Sequence, residues 1–254
     1  MFTPDWPAPV QVCAAITHTQ CQGPVQGFSQ PPYGQFNLAT HVGDAPERVV
    51  ANRQLLSAQL GIGPVQWLQQ VHGTEVFTAQ FPMVSPAPVA DALYTSSPEL
   101  PIAVLTADCL PVLVCSQVGD EIAAAHAGWR GLAQGVLANT LAAFRAPPQQ
   151  LLAYLGPAIG PAHFEVGEEV LAVFSERFSI YGDVSACFVA NRPGHYLADL
   201  YALARLQLKA LGVAAIYGGQ ACTFADEHFY SYRRSADGCC GRMASLIWLA
   251  GSHA

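Results

Sequence analysis

Along the chain, apolar and polar positions alternate between two rhythms. Short apolar or β-rich runs bounded by Gly, Pro or polar residues predict strands at 10–17, 65–70, 91–95, 102–107, 112–115, 121–125, 151–155 and 229–232. Several, such as Ile102-Ala103-Val104-Leu105, are apolar at every position, which implies sheets covered on both faces. Helical spacing fits at 44–60, 132–144, 168–178 and 197–211. In the first, Asp44 is the expected N-cap and Pro46 sits in the first turn. Val49, Leu56 and Leu60 supply its apolar face, and Gly61 supplies the stop. In the third, Glu168 and Glu169 stand near the positive end of the helix dipole. Strands interleaved with helices predict an α/β fold built in layers rather than a half-solvated barrel.

No repeat and no Ser/Gly tether divides the chain. The stretch from Phe81 to Pro88 reads as a surface loop and Pro147-Pro148 as a connector, so a single domain over 1–254 is expected.

Composition narrows the classes. Of 254 residues 52% are hydrophobic and 11% charged, against roughly 25% charged in an ordinary domain. A chain this apolar buries enough surface to offset the entropy of ordering, which excludes disorder. The most apolar stretch, 101–115, is interrupted by Asp108 and falls short of the ~18 residues that a spanning helix needs, so no membrane association is expected. The residues from Met1 to Pro9 hold no basic segment followed by an apolar core, which points to the cytoplasm. Eleven basic residues, of which Lys209 alone is a lysine, stand against eighteen acidic ones. A net charge of -7 argues against a nucleic-acid partner. The eight cysteines are scattered without a C-x-x-C pair, as buried thiols rather than a disulfide framework.

Three segments place a metal-capable or nucleophilic side chain beside turn residues just after a strand-like run: Gln70-Val71-His72-Gly73, Ala107-Asp108-Cys109-Leu110-Pro111 and His126-Ala127-Gly128-Trp129-Arg130-Gly131. Their separation is not that of a local zinc finger, so spacing alone establishes no metal site. Two imidazoles and a thiolate nevertheless suit Zn²⁺ and leave a fourth position open. The same trio also suits a Cys nucleophile with a His base. A third alternative is a buried Cys and two turn histidines in a non-enzymatic interaction module. His18, His41, His163, His195, His228 and His253 have no companion at ligand-like spacing and read as surface or structural. There is no H-x-H pair, so a multicopper centre lacks its clustered ligands.

These segments, with Asn37-Leu38, His41-Val42-Gly43-Asp44, Asn52-Arg53, Ala90-Asp91-Ala92, Leu155-Gly156-Pro157-Ala158-Ile159-Gly160, Cys222-Thr223, Tyr230-Ser231-Tyr232-Arg233-Arg234 and Gly241-Arg242-Met243-Ala244-Ser245, resemble the laccase-domain family from about Asn37 to Leu249. That family was catalogued as multicopper polyphenol oxidases and is associated with purine nucleoside phosphorylase activity. The chain departs from its pattern at Ser235 to Cys240, where the family has a shorter acidic turn.

The resemblance implies a single-domain α/β/β/α sandwich with mixed sheets and a zinc site of His72, Cys109 and His126, the same residues being catalytic. It implies phosphorolysis of adenosine, inosine, guanosine and methylthioadenosine, with adenosine deamination besides. Purine nucleosides and phosphate would be the partners of a chain expected to be a monomer. Phosphate must be organised against ribose C1′, work that suits the planar fork of arginine. Arg48, Arg233, Arg234 and Arg242 are the candidates, with Asn37 and Gln70 offering amides to the substrate. Arg130 would brace the turn after His126, and Asp108 would fix a turn or an imidazole tautomer. Bacterial relatives are also associated with peptidoglycan editing. That makes a Cys-His amidohydrolase acting on L-serine-containing UDP-muramoyl precursors the alternative, with Cys109 as nucleophile, His126 as base and His72 in support.

Overall fold

The computed structural model describes residues 1–21, 23, 25–82, 86–213 and 215–251. In chain order the elements are β1 (Val12–Ile16), α1 (Pro46–Leu60), β2 (Val76–Thr78), β3 (Ala92–Thr95), β4 (Ile102–Thr106), β5 (Leu110–Ser116) and β6 (Ile122–Ala127). There follow α2 (Trp129–Gln134), α3 (Val136–Ala142), β7 (Leu151–Leu155), β8 (Glu165–Gly167) and α4 (Glu168–Arg177). The chain finishes with β9 (Phe188–Arg192), β10 (His195–Ala198), α5 (Leu200–Ala210), β11 (Ala215–Gly218) and β12 (Met243–Leu249).

Four layers result. A six-stranded sheet in the order β11-β7-β5-β6-β3-β2 is mixed, with parallel pairs at β11·β7 and β2·β3 and antiparallel pairs between. Because side chains alternate across a strand, Val112 and Val114 with Ala123 and Ala125 face α3 and α5 through Leu137, Leu203 and Leu208. Leu113, Cys115, Ile122 and Ala124 face the other way, onto Ile16, Ile102, Val104 and Ile247 of the antiparallel sheet β1-β12-β4. That second sheet turns Ala103, Leu105, Ala244 and Leu246 outward against Leu56 of α1, with Phe36 and Leu38 alongside. The arrangement is the expected α/β/β/α sandwich. Among the described residues no helix is long and apolar enough to cross a membrane.

Some expected elements take a different form. Asp44 does not cap α1: Ala45 holds the N-cap position, while the Asp44 carboxylate accepts from the Ser29 hydroxyl, the Asn37 amide and the Ala45 N–H. Gly61 stops the helix as expected, at φ 63°. The 132–144 helix begins earlier and is broken into α2 and α3 by Gly135 at φ 98°. In 197–211 the first residues belong to β10, and Asp199 caps α5 by accepting from the Ala202 N–H.

The 65–70 run forms no strand and makes only isolated bridges, Gln66 to Ile102 and Gln69 to Val89. Residues 229–232 form no strand. Strands β2, β8, β9, β10, β11 and β12 fall outside the predicted runs. β12 is the central strand of the second sheet, with Ser245 within its otherwise apolar run. Met83, Val84 and Ser85 of the expected 81–88 loop, and His253, lie outside the described residues.

Candidate metal centre

The three metal-capable segments converge. His72 follows the 65–70 run at φ 60°, Cys109 sits in the turn between β4 and β5 directly after Asp108 at φ 86°, and His126 lies on β6. One ligand atom from each falls within 4.8 Å of the others. Cys109 Sγ is 3.9 Å from His72 Nε2, and the two imidazoles meet edge to face with centroids 4.8 Å apart. His126 is buried, Cys109 half-buried and His72 exposed, so the trio opens to one side.

Asp91, fully buried at the start of β3, organises both histidines. Its Oδ1 lies 2.8 Å from His126 Nδ1 and accepts the His72 N–H, and its Oδ2 accepts the N–H groups of Val71 and Gly73. Burial opposes its charge. The hydrogen bonds from His126, Gly73 and Val71 outweigh that and hold the carboxyl below its ordinary range. An ionised carboxylate only accepts, so Nδ1 of His126 donates, which leaves Nε2 to the trio. The positive φ of His72 lets three consecutive N–H groups wrap one carboxylate.

Burial also opposes the Cys109 thiolate. The adjoining charge and hydrogen bond of His126, with those of His72, outweigh it and draw the thiol below its ordinary value. Reciprocally, His126 is raised despite burial, by Cys109 and then by Asp91. A thiolate and two oriented imidazoles fit Zn²⁺ by donor type and number, with a position to spare.

Two glycines make the convergence possible. A Cβ on Gly128 would lie 2.9 Å from Cys109 Sγ and 3.2 Å from His72 Cδ2, and one on Gly131 would lie 2.7 Å from the Gly73 carbonyl oxygen. The close approach of the chain after β6 to the His72 loop is therefore written in the spacing Gly128-Trp129-Arg130-Gly131.

The trio lines a cavity of about 430 Å³. Its walls add the polar side chains of His41, Gln70, Arg130, Arg233 and Arg242 and the aromatic ones of Trp129, Phe164 and Tyr232. Gln70 points its amide at the backbone of β4, donating to Leu105 O and accepting from Leu105 N–H. Arg242 donates to the carbonyls of Cys240 and Gly241. Arg233 donates through Nη1 to Glu165 O.

The remaining candidates lie elsewhere. Asn37 is fully buried and spends its amide on Ala39, Asp44 and the Arg242 N–H. Arg234 caps the carbonyls of Thr223, Phe224 and Phe229. Arg48 on α1 is outside the cavity lining. Asp108 fixes turns rather than a tautomer, accepting from the Thr223 hydroxyl and the Arg233 N–H. The tautomer role falls to Asp91. Sequence reasoning missed Asp91 because a buried carboxylate inside Ala-Asp-Ala carries no local sign of its partners. It missed His41 because the neighbours that mark it come from elsewhere in the chain. Burial, then Arg242, Arg53 and the other two imidazoles, lower the His41 pKa.

Comparison with known proteins places these residues in a family context. The family described as multi-copper polyphenol oxidoreductase laccase matches residues 19–250. A Pseudomonas aeruginosa protein named purine nucleoside phosphorylase is 46% identical over 98% of both chains. An Escherichia coli K12 protein of the same name is 48% identical, again over 98% of both. A Neisseria meningitidis crystal structure superposes with a TM-score of 0.90 at 49% identity, covering 98% of this chain and 99% of that one. A Bacillus licheniformis structure does so at 0.86 and 29% identity, over 94% and 93%.

Proposed function

Because the chain belongs to the multi-copper polyphenol oxidoreductase laccase family, and relatives sharing nearly half its residues bear the name purine nucleoside phosphorylase, we propose that it is a zinc-dependent purine nucleoside phosphorylase. The observation that carries the reading is the convergence of His72, Cys109 and His126 in one cavity whose walls also carry three arginines and three aromatic rings. Three donors are too few for the clustered histidines that a multicopper centre needs. They suit one zinc.

Zinc held by His72, Cys109 and His126 would supply Lewis-acid polarisation of an oxygen brought to its open position. The chain's own residues do the rest. Asp91 fixes His126 in the tautomer that leaves Nε2 free and holds the His72 loop. Trp129, Phe164 and Tyr232 offer flat apolar faces to a purine. Gln70 acts through Leu105, keeping the end of β4 and so the turn with Cys109 in place. Arg233 and Arg242 keep guanidinium donors at the cavity for an anion. Asn37 and Arg234 shape the surrounding loops, and Arg48 stands apart from the reaction.

In phosphorolysis an oxygen of hydrogen phosphate bonds to ribose C1′. The C1′–N9 bond breaks with its electron pair leaving on the purine, and the phosphate proton ends on the base. Adenosine, inosine, guanosine and methylthioadenosine are the substrates. Adenosine is also deaminated, water replacing the C6 amino group with release of ammonia. The enzyme works as a cytoplasmic, single-domain monomer without nucleic acid or membrane.

The test is a zinc assay on the purified protein joined to product analysis on a nucleoside panel with and without phosphate. Hypoxanthine and ribose 1-phosphate formed from inosine only with phosphate is the expected result. Free base released at the full rate without phosphate, or full turnover by metal-free protein, overturns the reading. The amidohydrolase alternative draws support from the lowered Cys109 thiol beside His126. A covalent Cys109 adduct with an amide-mimicking electrophile during turnover of a muramoyl peptide would favour it.

A further inference from the structure

Phosphorolysis needs a place beside the trio where a phosphate dianion is held. Most basic side chains in this charge-poor chain are occupied internally. Arg205 donates to the Ile216 and Gly218 carbonyls, Arg234 to four loop carbonyls, and Arg53 to the Leu38 carbonyl. Arg145 and Arg192 are paired with Glu121 and Glu165.

Arg130 differs. Among the described residues its guanidinium has no hydrogen-bond or ion-pair partner, so it does not brace the turn after His126. It lies over the Trp129 ring, 4.4 Å from the centroid. Arg233 lies in the same way 5.3 Å from the Phe164 centroid and commits only Nη1, to Glu165 O. Stacking uses the face of a guanidinium and leaves its in-plane N–H fork free, the geometry that fits phosphate oxygens.

Position and field agree with this. Arg130, Arg233 and Trp129 line both the trio's cavity and an adjoining one of about 450 Å³, and so form the wall between the two. Among the described residues the carboxylate lining the first cavity is Asp108, and both its oxygens are taken, by Thr223 and by the Arg233 N–H. In the second cavity Glu165 is neutralised by Arg192, which leaves Glu169 against Arg130, Arg233 and His195.

We propose that Arg130 and Arg233, each backed by an aromatic ring, form a clamp for a phosphate group on the wall between the two cavities. The assignment rests on the phosphorylase reading. The phosphate is either free orthophosphate, the nucleophile of phosphorolysis, or the 5′-phosphate of a bound nucleotide. Both present the same dianion to the same fork.

The test compares wild type, Arg130→Gln and Arg130→Lys by initial rates of hypoxanthine formation over a range of inorganic phosphate, with inosine 5′-monophosphate as competitor. Melting temperatures check the fold. In Arg130→Gln the KM for phosphate is expected to rise about tenfold or more, with the KM for inosine unchanged within about twofold and partial recovery in Arg130→Lys. Weakened inhibition by the nucleotide with an unchanged phosphate KM also supports the clamp and identifies the esterified phosphate as its ligand. If neither changes, the clamp is wrong. If wild type makes no hypoxanthine, the phosphorylase reading fails instead. Equilibrium binding of inorganic phosphate and of inosine 5′-monophosphate to wild type and Arg130→Gln then decides the clamp by itself.

Discussion

Asp91 Oδ1 lies 2.8 Å from His126 Nδ1 and, through the same oxygen, accepts the backbone N–H of His72. One carboxylate thus sets the tautomer of one metal-capable histidine and the loop conformation of the other. Replacing it disturbs both at once. Asp91→Asn keeps the shape but removes the charge that orients Nδ1–H. Its zinc affinity, measured by chelator competition, is expected to fall about 10–100-fold. An unchanged affinity would show that the trio is held without Asp91.

Gly128 has φ -59°, a value any residue adopts, so substitution there costs through contact and not through backbone strain. In Gly128→Ala the new methyl would press on Cys109 Sγ and His72 Cδ2. A destabilisation of about 1–3 kcal/mol is expected, with less than stoichiometric zinc by native mass spectrometry and an unchanged far-UV spectrum. Full zinc occupancy and wild-type stability would mean that the trio does not close as described.

The lowered Cys109 thiol has a kinetic signature in metal-free protein. Its thiolate is present at pH values where Cys13, Cys115, Cys187 and Cys240, all raised by burial, are protonated. Iodoacetamide near neutral pH is expected to label Cys109 first, and added zinc to protect it. Peptide mapping that finds Cys109 no faster than the others would remove the thiolate from the site's chemistry.

Glu121 is buried at the end of the β5–β6 hairpin and accepts from Tyr94 Oη, from the N–H groups of Arg145 and Ala146, and from Arg145 Nε. Burial opposes its charge, but those bonds prevail and lower its pKa. A carboxyl lowered in the folded state contributes stability above its unfolded pKa, and that stability is lost as pH falls through the folded value. Glu121→Gln is expected to cost about 2 kcal/mol near pH 7. Its melting-temperature gap to wild type should close below the usual carboxylate range of about 4. A gap that stays constant down to strong acid would contradict this.

Arg234 binds loop carbonyls, and its loss leaves them without their donors. Arg234→Ala is expected to destabilise the protein by about 2 kcal/mol or more, while the phosphate KM of the folded fraction stays within about twofold of wild type. A selective rise in that KM would place Arg234 at the anion instead.

The strands of the six-stranded sheet's centre were legible because β5, β6 and β7 are apolar on both faces, and α1 because Pro46 and Gly61 mark its ends by covalent geometry. The three metal-capable segments were legible as well, since each sets its His or Cys beside turn residues at or after an apolar run, His126 itself lying on β6. β8 to β10 were not, because they are short and only half-buried, and the edge strand Phe188–Arg192, exposed after its first residue, carries no apolar period. Nor were the roles of the arginines. Arg130, Arg233, Arg234 and Arg242 look alike in sequence, yet Arg234 and Arg242 donate to loop carbonyls while Arg130 and Arg233 stand over aromatic rings with donors to spare. The sequence by itself determined the alternation of strands and helices and the three metal-capable segments, because burial and turn chemistry act over a few neighbouring positions, while the order of the layers came with the family resemblance. Only the tertiary structure decided that Asp91 orients the histidines and that Arg130 has no hydrogen-bond partner among the described residues, because a hydrogen bond depends on which distant groups the fold brings within about 3 Å.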